Sequence, residues 1–182
     1  MTIRSRLAWR TKTIRRVDSD SLSFWLQDRG SLTARLQAKG TFSVKLLQQS
    51  LAKPTLDEAV ALGIARNQLA WIREVALLCD GEPLVFAHTV LPYRPRGPLS
   101  RWLSRLGNQS LGALLFAHPG FRRGALSCKR LDHRHALFLP AAQAMDLSPP
   151  PPQKLWARRS TFAFGAQAVL VTEVFSPAIR QK

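Results

Sequence analysis

The sequence is poor in cysteine: Cys79 and Cys128 are the two in 182 residues. Two cysteines make no disulfide framework, so a reducing, cytoplasmic setting is the expectation. No apolar run approaches the ~18 residues that a membrane span needs. The opening stretch MTIRSRLAWRTKTIRR is basic but lacks the apolar core of a secretory signal. Residues 1–19 read as a basic, flexible N-terminal segment ahead of one domain over 20–182, with an Arg-rich transit peptide as the other reading. No phosphate-cradling glycine loop or dinucleotide fingerprint occurs. His133 and His135 have an H-x-H spacing, yet no carboxylate or cysteine cluster completes it, so no metal site is expected. Neither cysteine has a local histidine partner, which argues against a thiol nucleophile.

Acidic residues are also scarce, 11 against 27 lysines and arginines, giving a net charge of +16 and a pI near 11.5. That balance asks for an anionic partner. Nucleic acid is the generic one, but the cations come in ones and twos, as in Arg15-Arg16, Arg122-Arg123 and Arg158-Arg159. No recognition helix, zinc spacing or aromatic RNA-binding signature accompanies them. No nucleic-acid function is therefore expected; a solvated basic surface and a small anionic ligand both suit the charge.

Hydrophobic residues make up 46% of the chain, which excludes disorder by composition, and the length suits a single domain with a real core. Residues 20–29, DSLSFWLQDR, read as a short helix packing Leu22, Trp25 and Leu26. Ser31 is a good N-cap for a second helix, LTARLQAKG, expected to stop with Gly40 in the C′ position. Phe42, Val44 and Leu46 alternate as in a strand over 41–51. Pro54 breaks the chain, and LDEAVALGIA has room for a helical turn or two. Residues 71–79 and 84–91 read as hairpin arms around an Asp-Gly turn region at 80–83. A loop over 92–98, a helix over 99–106 and a Ser110-capped helix over 111–118 follow. FRRGALSCKRL, 121–131, reads as a strand, and the proline-rich run 148–154 cannot join a sheet interior. WARRSTFAF and AVLVTEVF flank Gly165-Ala166-Gln167 as a second hairpin. Hairpin-paired strands with several short helices indicate an α+β domain: an antiparallel sheet with flanking helices.

Two of the most strand-like segments each contain a charge. Trp71, Arg73, Val75 and Leu77 share one face of their strand, and Val169, Val171, Glu173 and Phe175 share one face of theirs. Arg73 and Glu173 therefore project among large apolar neighbours. The plain reading is a structural ion pair or a snorkelling surface residue. The functional reading is an apolar pocket with these two charges as its polar fixtures. The helix starts at Ser31-Leu32 and Ser110-Leu111 present backbone amides of the kind that favour carboxylates. Most capped helices bind nothing, so their weight depends on whether they meet Arg73.

WIREVALLCDGEP followed by HTVLP, then SLGALLF, LWARRSTF and LVTEVFSPA, resemble the chorismate pyruvate-lyase family in order and spacing, from about Leu22 to Pro177. The match is strong around both hairpins, fair over 25–48 and poor over 121–154, where this chain carries its proline run. The resemblance implies an antiparallel sheet with helical flaps closing over an internal ligand site. It implies a carbon–oxygen lyase, acting without cofactor or metal, that cleaves chorismate to 4-hydroxybenzoate and pyruvate at the start of bacterial ubiquinone biosynthesis. Carried over by motif, Arg73 holds the ring carboxylate, Glu173 serves the hydroxyl end in catalysis or positioning, and backbone amides at Leu32 and Leu111 help hold the ligand. His88 stands where the resemblance leads one to expect arginine. Arg158 or Arg159 is a candidate for the pyruvyl carboxylate. A monomer is expected. The alternative is a non-catalytic binding module, because effector domains of some bacterial transcription regulators share this kind of fold. Those normally follow a DNA-binding domain, and the roughly twenty residues before the first helix are too few for a helix-turn-helix.

Overall fold

Leu22, Trp25 and Leu26 all point inward from the first helix, α1 (Asp20–Gln27), as their spacing requires. The structure, a computed structural model, describes residues 9–11, 20–65, 67–93, 99, 106–107 and 109–182. Ser31 Oγ accepts the Ala34 amide at 3.3 Å and starts α2 (Leu32–Gln37). This helix ends at Ala38, earlier than the expected stop at Gly40. Gly40 is needed for another reason: a Cβ there would run into the carboxylate of Asp80, which accepts the Thr41 amide at 2.8 Å.

Strand β1 (Phe42–Ala52) carries a bulge between Leu46 and Gln48. The Thr55 amide donates to Glu58 Oε2 at 2.8 Å, which opens α3 (Leu56–Leu62), and Gly63 closes it at φ 63°. Strands β2 (Ala70–Cys79) and β3 (Glu82–Pro92) form the first hairpin. Its turn is only Asp80 and Gly81, with φ of 54° and 80°, the two left-handed residues of a tight hairpin. The expected loop over 92–98 and helix over 99–106 lie mostly outside the described residues.

Helix α4 (Leu111–Ala117) follows. The strand expected over 121–131 is two short ones, β4 (Arg122–Arg123) and β5 (Ser127–Leu131). Between them the Gly124 amide donates to the Thr161 carbonyl at 2.8 Å, and a Cβ on Gly124 would stand 2.6 Å from Thr161 Oγ1. Helix α5 (Phe138–Ala144) precedes the proline run, and β6 (Leu155–Phe164) begins directly after it. Strand β7 (Gln167–Phe175) completes the second hairpin, and a 3-10 turn (Pro177–Gln181) ends the chain.

The strands form one antiparallel sheet in the order β1-β2-β3-β7-β6-β4, with β5 also paired to β6. Register decides which residues share a face. Val75, Ala87, Glu173 and Arg158 lie in one row across four strands; Gln49, Arg73, Thr89, Val171 and Ser160 lie in the next. Helices α1, α2 and α4 cover this face. One apolar cluster joins α1 and α2 to Val75, Leu77, Val85 and Phe175; another joins α4 to Leu91, Val169 and Phe162. The polar members of the two rows, Gln49, Arg73, Thr89, Ser160, Arg158 and Glu173, share this face with the two clusters. The opposite face packs α5 against Phe86 and Val174, and Leu62 of α3 against Ile72 and Leu170.

Of residues 1–19, residues 9–11 are described, and they attach to the domain. Arg10 exchanges backbone hydrogen bonds with Cys128, and Trp9 Nε1 donates to Asp57 Oδ2 at 3.0 Å.

Candidate functional site

Arg73 projects from the middle of β2 and is 1% exposed. Its Nη1 donates to Gln49 Oε1 and its Nη2 to the Gln109 carbonyl, each at 3.0 Å. Both acceptors are neutral, and among the described residues no carboxylate pairs with this guanidinium. Burial pushes its pKa down, yet an arginine stays charged at any ordinary pH. The bulge in β1 sets the pairing: it advances the register by one residue, so that Gln49 stands opposite Arg73.

The carbonyl that Arg73 grips belongs to the entrance of α4. Next to it, Ser110 Oγ and Thr33 Oγ1 share a 2.5 Å hydrogen bond. Gly112 allows this approach, since a Cβ there would lie 3.2 Å from Thr33 Oγ1. The starts of α2 and α4 thus touch each other, and the second touches Arg73. Leu32 and Leu111 are their first residues, and both are buried. The first amides of any helix have no acceptor within it, and on α2 the Ser31 side chain takes only that of Ala34.

Glu173 lies on the same face as Arg73, with β3 between their strands. Its cross-strand neighbour is Arg158, whose Nε donates to Glu173 Oε2 at 2.5 Å. Arg158 is 1% exposed. Its Nη1 donates to the Trp25 carbonyl at 2.6 Å and the Asp28 carbonyl at 2.8 Å, tying down the end of α1. Its Nη2 is buried with no hydrogen-bond partner among the described residues. Arg123 reaches in from β4. It donates through Nε to Ser160 Oγ at 2.9 Å and through Nη1 to the Arg29 carbonyl at 2.7 Å, and it stacks near the rings of Phe116 and Phe162. Sequence reasoning missed Arg123 because a two-residue strand shows no alternation.

Arg159 points the other way, as the next residue on a strand must. It pairs with Asp57 at 2.9 Å, and its guanidinium sits 4.3 Å from the centre of the Trp9 ring. His88 also faces that side. Its Nδ1 lies 2.9 Å from Glu74 Oε1, and its Nε2 3.0 Å from Glu58 Oε1, the latter a charge contact rather than an aligned hydrogen bond. Burial alone would lower the imidazole pKa, but the two carboxylates outweigh it and raise it to about 9. A cation therefore does occupy the position where arginine was expected, on the face away from Arg73.

Burial pushes the Cys128 thiol up to about 11 and raises that of Cys79; both are buried, unpaired and poor nucleophiles. Among the described residues no three His, Cys, Asp or Glu side chains cluster to hold a metal, His133 and His135 included. A cleft lined by Asp132, His133, Phe138 and residues 151–154 lies beside the proline run, apart from the arginines. No helix among the described residues is long and apolar enough to cross a membrane.

Residues 3–182 match the family described as chorismate lyase. The probable chorismate pyruvate-lyase of Dechloromonas aromatica is 47% identical over 175 residues, covering 96% of this chain and 97% of its own. That of Nitrosomonas europaea is 41% identical over 183 residues, covering 100% and 99%. Among solved structures, PhnF from Mycobacterium smegmatis aligns with a TM-score of 0.61 at 16% identity, over 83% of this chain and 65% of its own. The effector domain of that protein aligns with a TM-score of 0.58 at 15% identity, over 81% and 89%. At such identities the likeness to these structures is one of fold alone.

Proposed function

The chain belongs to the chorismate lyase family, and we propose that it is the lyase that removes pyruvate from chorismate to leave 4-hydroxybenzoate, in the site between Arg73 and Glu173. The observation that carries the site is Arg73: a guanidinium 1% exposed, held by two neutral oxygens. A buried charge with no anion beside it among the described residues is expensive, and a ligand carboxylate can supply that anion. The ring carboxylate of chorismate meets it in a planar contact. The amides of Leu32 and Leu111 serve the ligand from the two helix starts that meet beside Arg73. Glu173 accepts a hydrogen bond from the ring hydroxyl at the other end.

The chemistry asks for placement more than for reactive groups. The ring carbon that bears the hydroxyl loses its proton. The neighbouring carbon–oxygen bond breaks, and its electron pair leaves on the enolpyruvyl oxygen. That oxygen takes a proton, and the enol becomes pyruvate. The ring becomes aromatic, which supplies the driving force. Atoms and electrons balance without water or an oxidant, so stoichiometry calls for no redox or group-carrying cofactor. The protein holds the ring, excludes water behind α1, α2 and α4, and assists at the hydroxyl end. Chorismate is a dianion, and a chain of net charge +16 favours its approach.

In the cell we place this reaction in the cytoplasm, as the first committed step of ubiquinone biosynthesis, carried out by a monomer. The deciding assay mixes purified protein with chorismate and follows 4-hydroxybenzoate absorbance and pyruvate together. The two products are expected in equal amounts. Tight binding of chorismate with neither product formed would leave only a binding module.

A further inference from the structure

If Arg73 holds the ring carboxylate and Glu173 the hydroxyl, as proposed above, the position of the third substituent follows. The enolpyruvyl arm is attached to the ring carbon next to the one that bears the hydroxyl. It must therefore lie beside Glu173. The side chain beside Glu173 is Arg158, its direct cross-strand neighbour and hydrogen-bond partner.

Arg158 has the right chemistry left over. Nε serves Glu173, and Nη1 serves the carbonyls of Trp25 and Asp28. Nη2 is buried with no partner among the described residues. A buried donor without an acceptor is costly, and a ligand oxygen is a group that can satisfy it. The charges agree. On this face Arg73, Arg158 and Arg123 stand against Glu173, while the nearby Asp28 is paired to Arg35 at 2.8 Å. Three arginines against one glutamate leave an excess that a monoanion only half answers and a dianion cancels. Resting on the site reading given above, we propose that Arg158 binds the second carboxylate of the substrate, the one on the enolpyruvyl arm, and so makes the site selective for a ring that carries two carboxylates. Its Nη2 also faces the three-carbon unit on which negative charge grows as the carbon–oxygen bond breaks. After cleavage the product keeps its contacts with Arg73 and Glu173 but none with Arg158, and pyruvate departs from the Arg158 end.

The test uses two aromatic ligands that cannot eliminate: 3-(1-carboxyvinyloxy)benzoate, with both carboxylates, and 3-methoxybenzoate, with one. Titration calorimetry on the wild-type protein is expected to show the first binding roughly 10-fold tighter or more. In Arg158→Gln that ratio should fall to within about 2-fold. Arg158→Lys keeps the charge but not the planar fork, so its ratio should lie between the two. Arg73→Gln should weaken both ligands by similar factors and preserve the ratio. Equal wild-type affinities for the two ligands would overturn the proposal without any variant, whether or not Arg158→Gln folds. An undiminished ratio in folded Arg158→Gln would overturn it as well. Unchanged affinities in Arg73→Gln would bring down the underlying site reading instead, and the proposal with it.

Discussion

Arg73 Nη2 donates to the carbonyl oxygen of Gln109 at 3.0 Å, so a central strand of the sheet and the entrance to α4 are joined through one buried cation. The contact has two consequences. It seats the start of α4 over the sheet face that carries Arg73, and it leaves the positive charge without an anion among the described residues.

Arg73→Ala is therefore expected to weaken 4-hydroxybenzoate binding by about 2–5 kcal/mol, whereas Lys45→Ala, at the exposed edge of the sheet, should cost under ~1 kcal/mol. Calorimetry on both variants checks this. Equal losses would reduce Arg73 to a structural fixture.

Glu173→Gln keeps the shape and an acceptor but loses charge and basicity, and it breaks the ion pair with Arg158. With Glu173 as a positioning group, product affinity should drop by about 1–3 kcal/mol, and the single-turnover rate should fall less than about 10-fold. Enzyme in excess is essential, because release from under the helices can mask the chemical step. A single-turnover rate lowered about 100-fold or more, with normal substrate affinity, would assign proton transfer to Glu173 instead.

His88 predicts a pH dependence of stability. It faces Glu74 from β2, Glu58 from α3 and Thr172 from β7. Its pKa of about 9 lies above the free value of 6.5. Its contribution, of order 3 kcal/mol, is complete below about pH 6.5 and is lost as pH rises through about 9. Burial raises the Glu58 pKa, but contacts to His88 and Thr55 outweigh it, so Glu58 titrates below its usual range. The Glu58 share is present above the ordinary carboxylate pKa and lost as pH falls. Urea unfolding at pH 6.5 and pH 10 should show the alkaline loss in the wild type and a smaller one in His88→Arg, whose charge persists. Parallel curves for the two proteins would contradict the assignment.

Gly40→Ala should destabilise the fold by about 1 kcal/mol or less, because the new methyl group would displace the exposed Asp80 carboxylate from the Thr41 amide and from Lys182. A thermal melt of Gly40→Ala beside Asp80→Ala tests the shared cause: in the Asp80→Ala background the Gly40 substitution should cost much less.

Rules that act within a few residues were readable without coordinates. Leu22, Trp25 and Leu26 at helical spacing predicted α1, and Asp80-Gly81 between apolar runs predicted the first hairpin. Period-two alternation put Arg73 and Glu173 among apolar neighbours. The quoted motifs pointed to the family. Three further matters needed the assembled sheet. That Arg73 and Glu173 share a face follows from β3 standing between β2 and β7, strands that are remote in sequence. That Arg158, and not Arg159, faces them follows from the β6–β7 register. That Gln49 meets Arg73 follows from the bulge at Leu46 and Gln48. Alternation along one strand is set by its own backbone. Which face of one strand joins which face of another is set by hydrogen bonds between distant segments, and a shift of one residue exchanges the two faces.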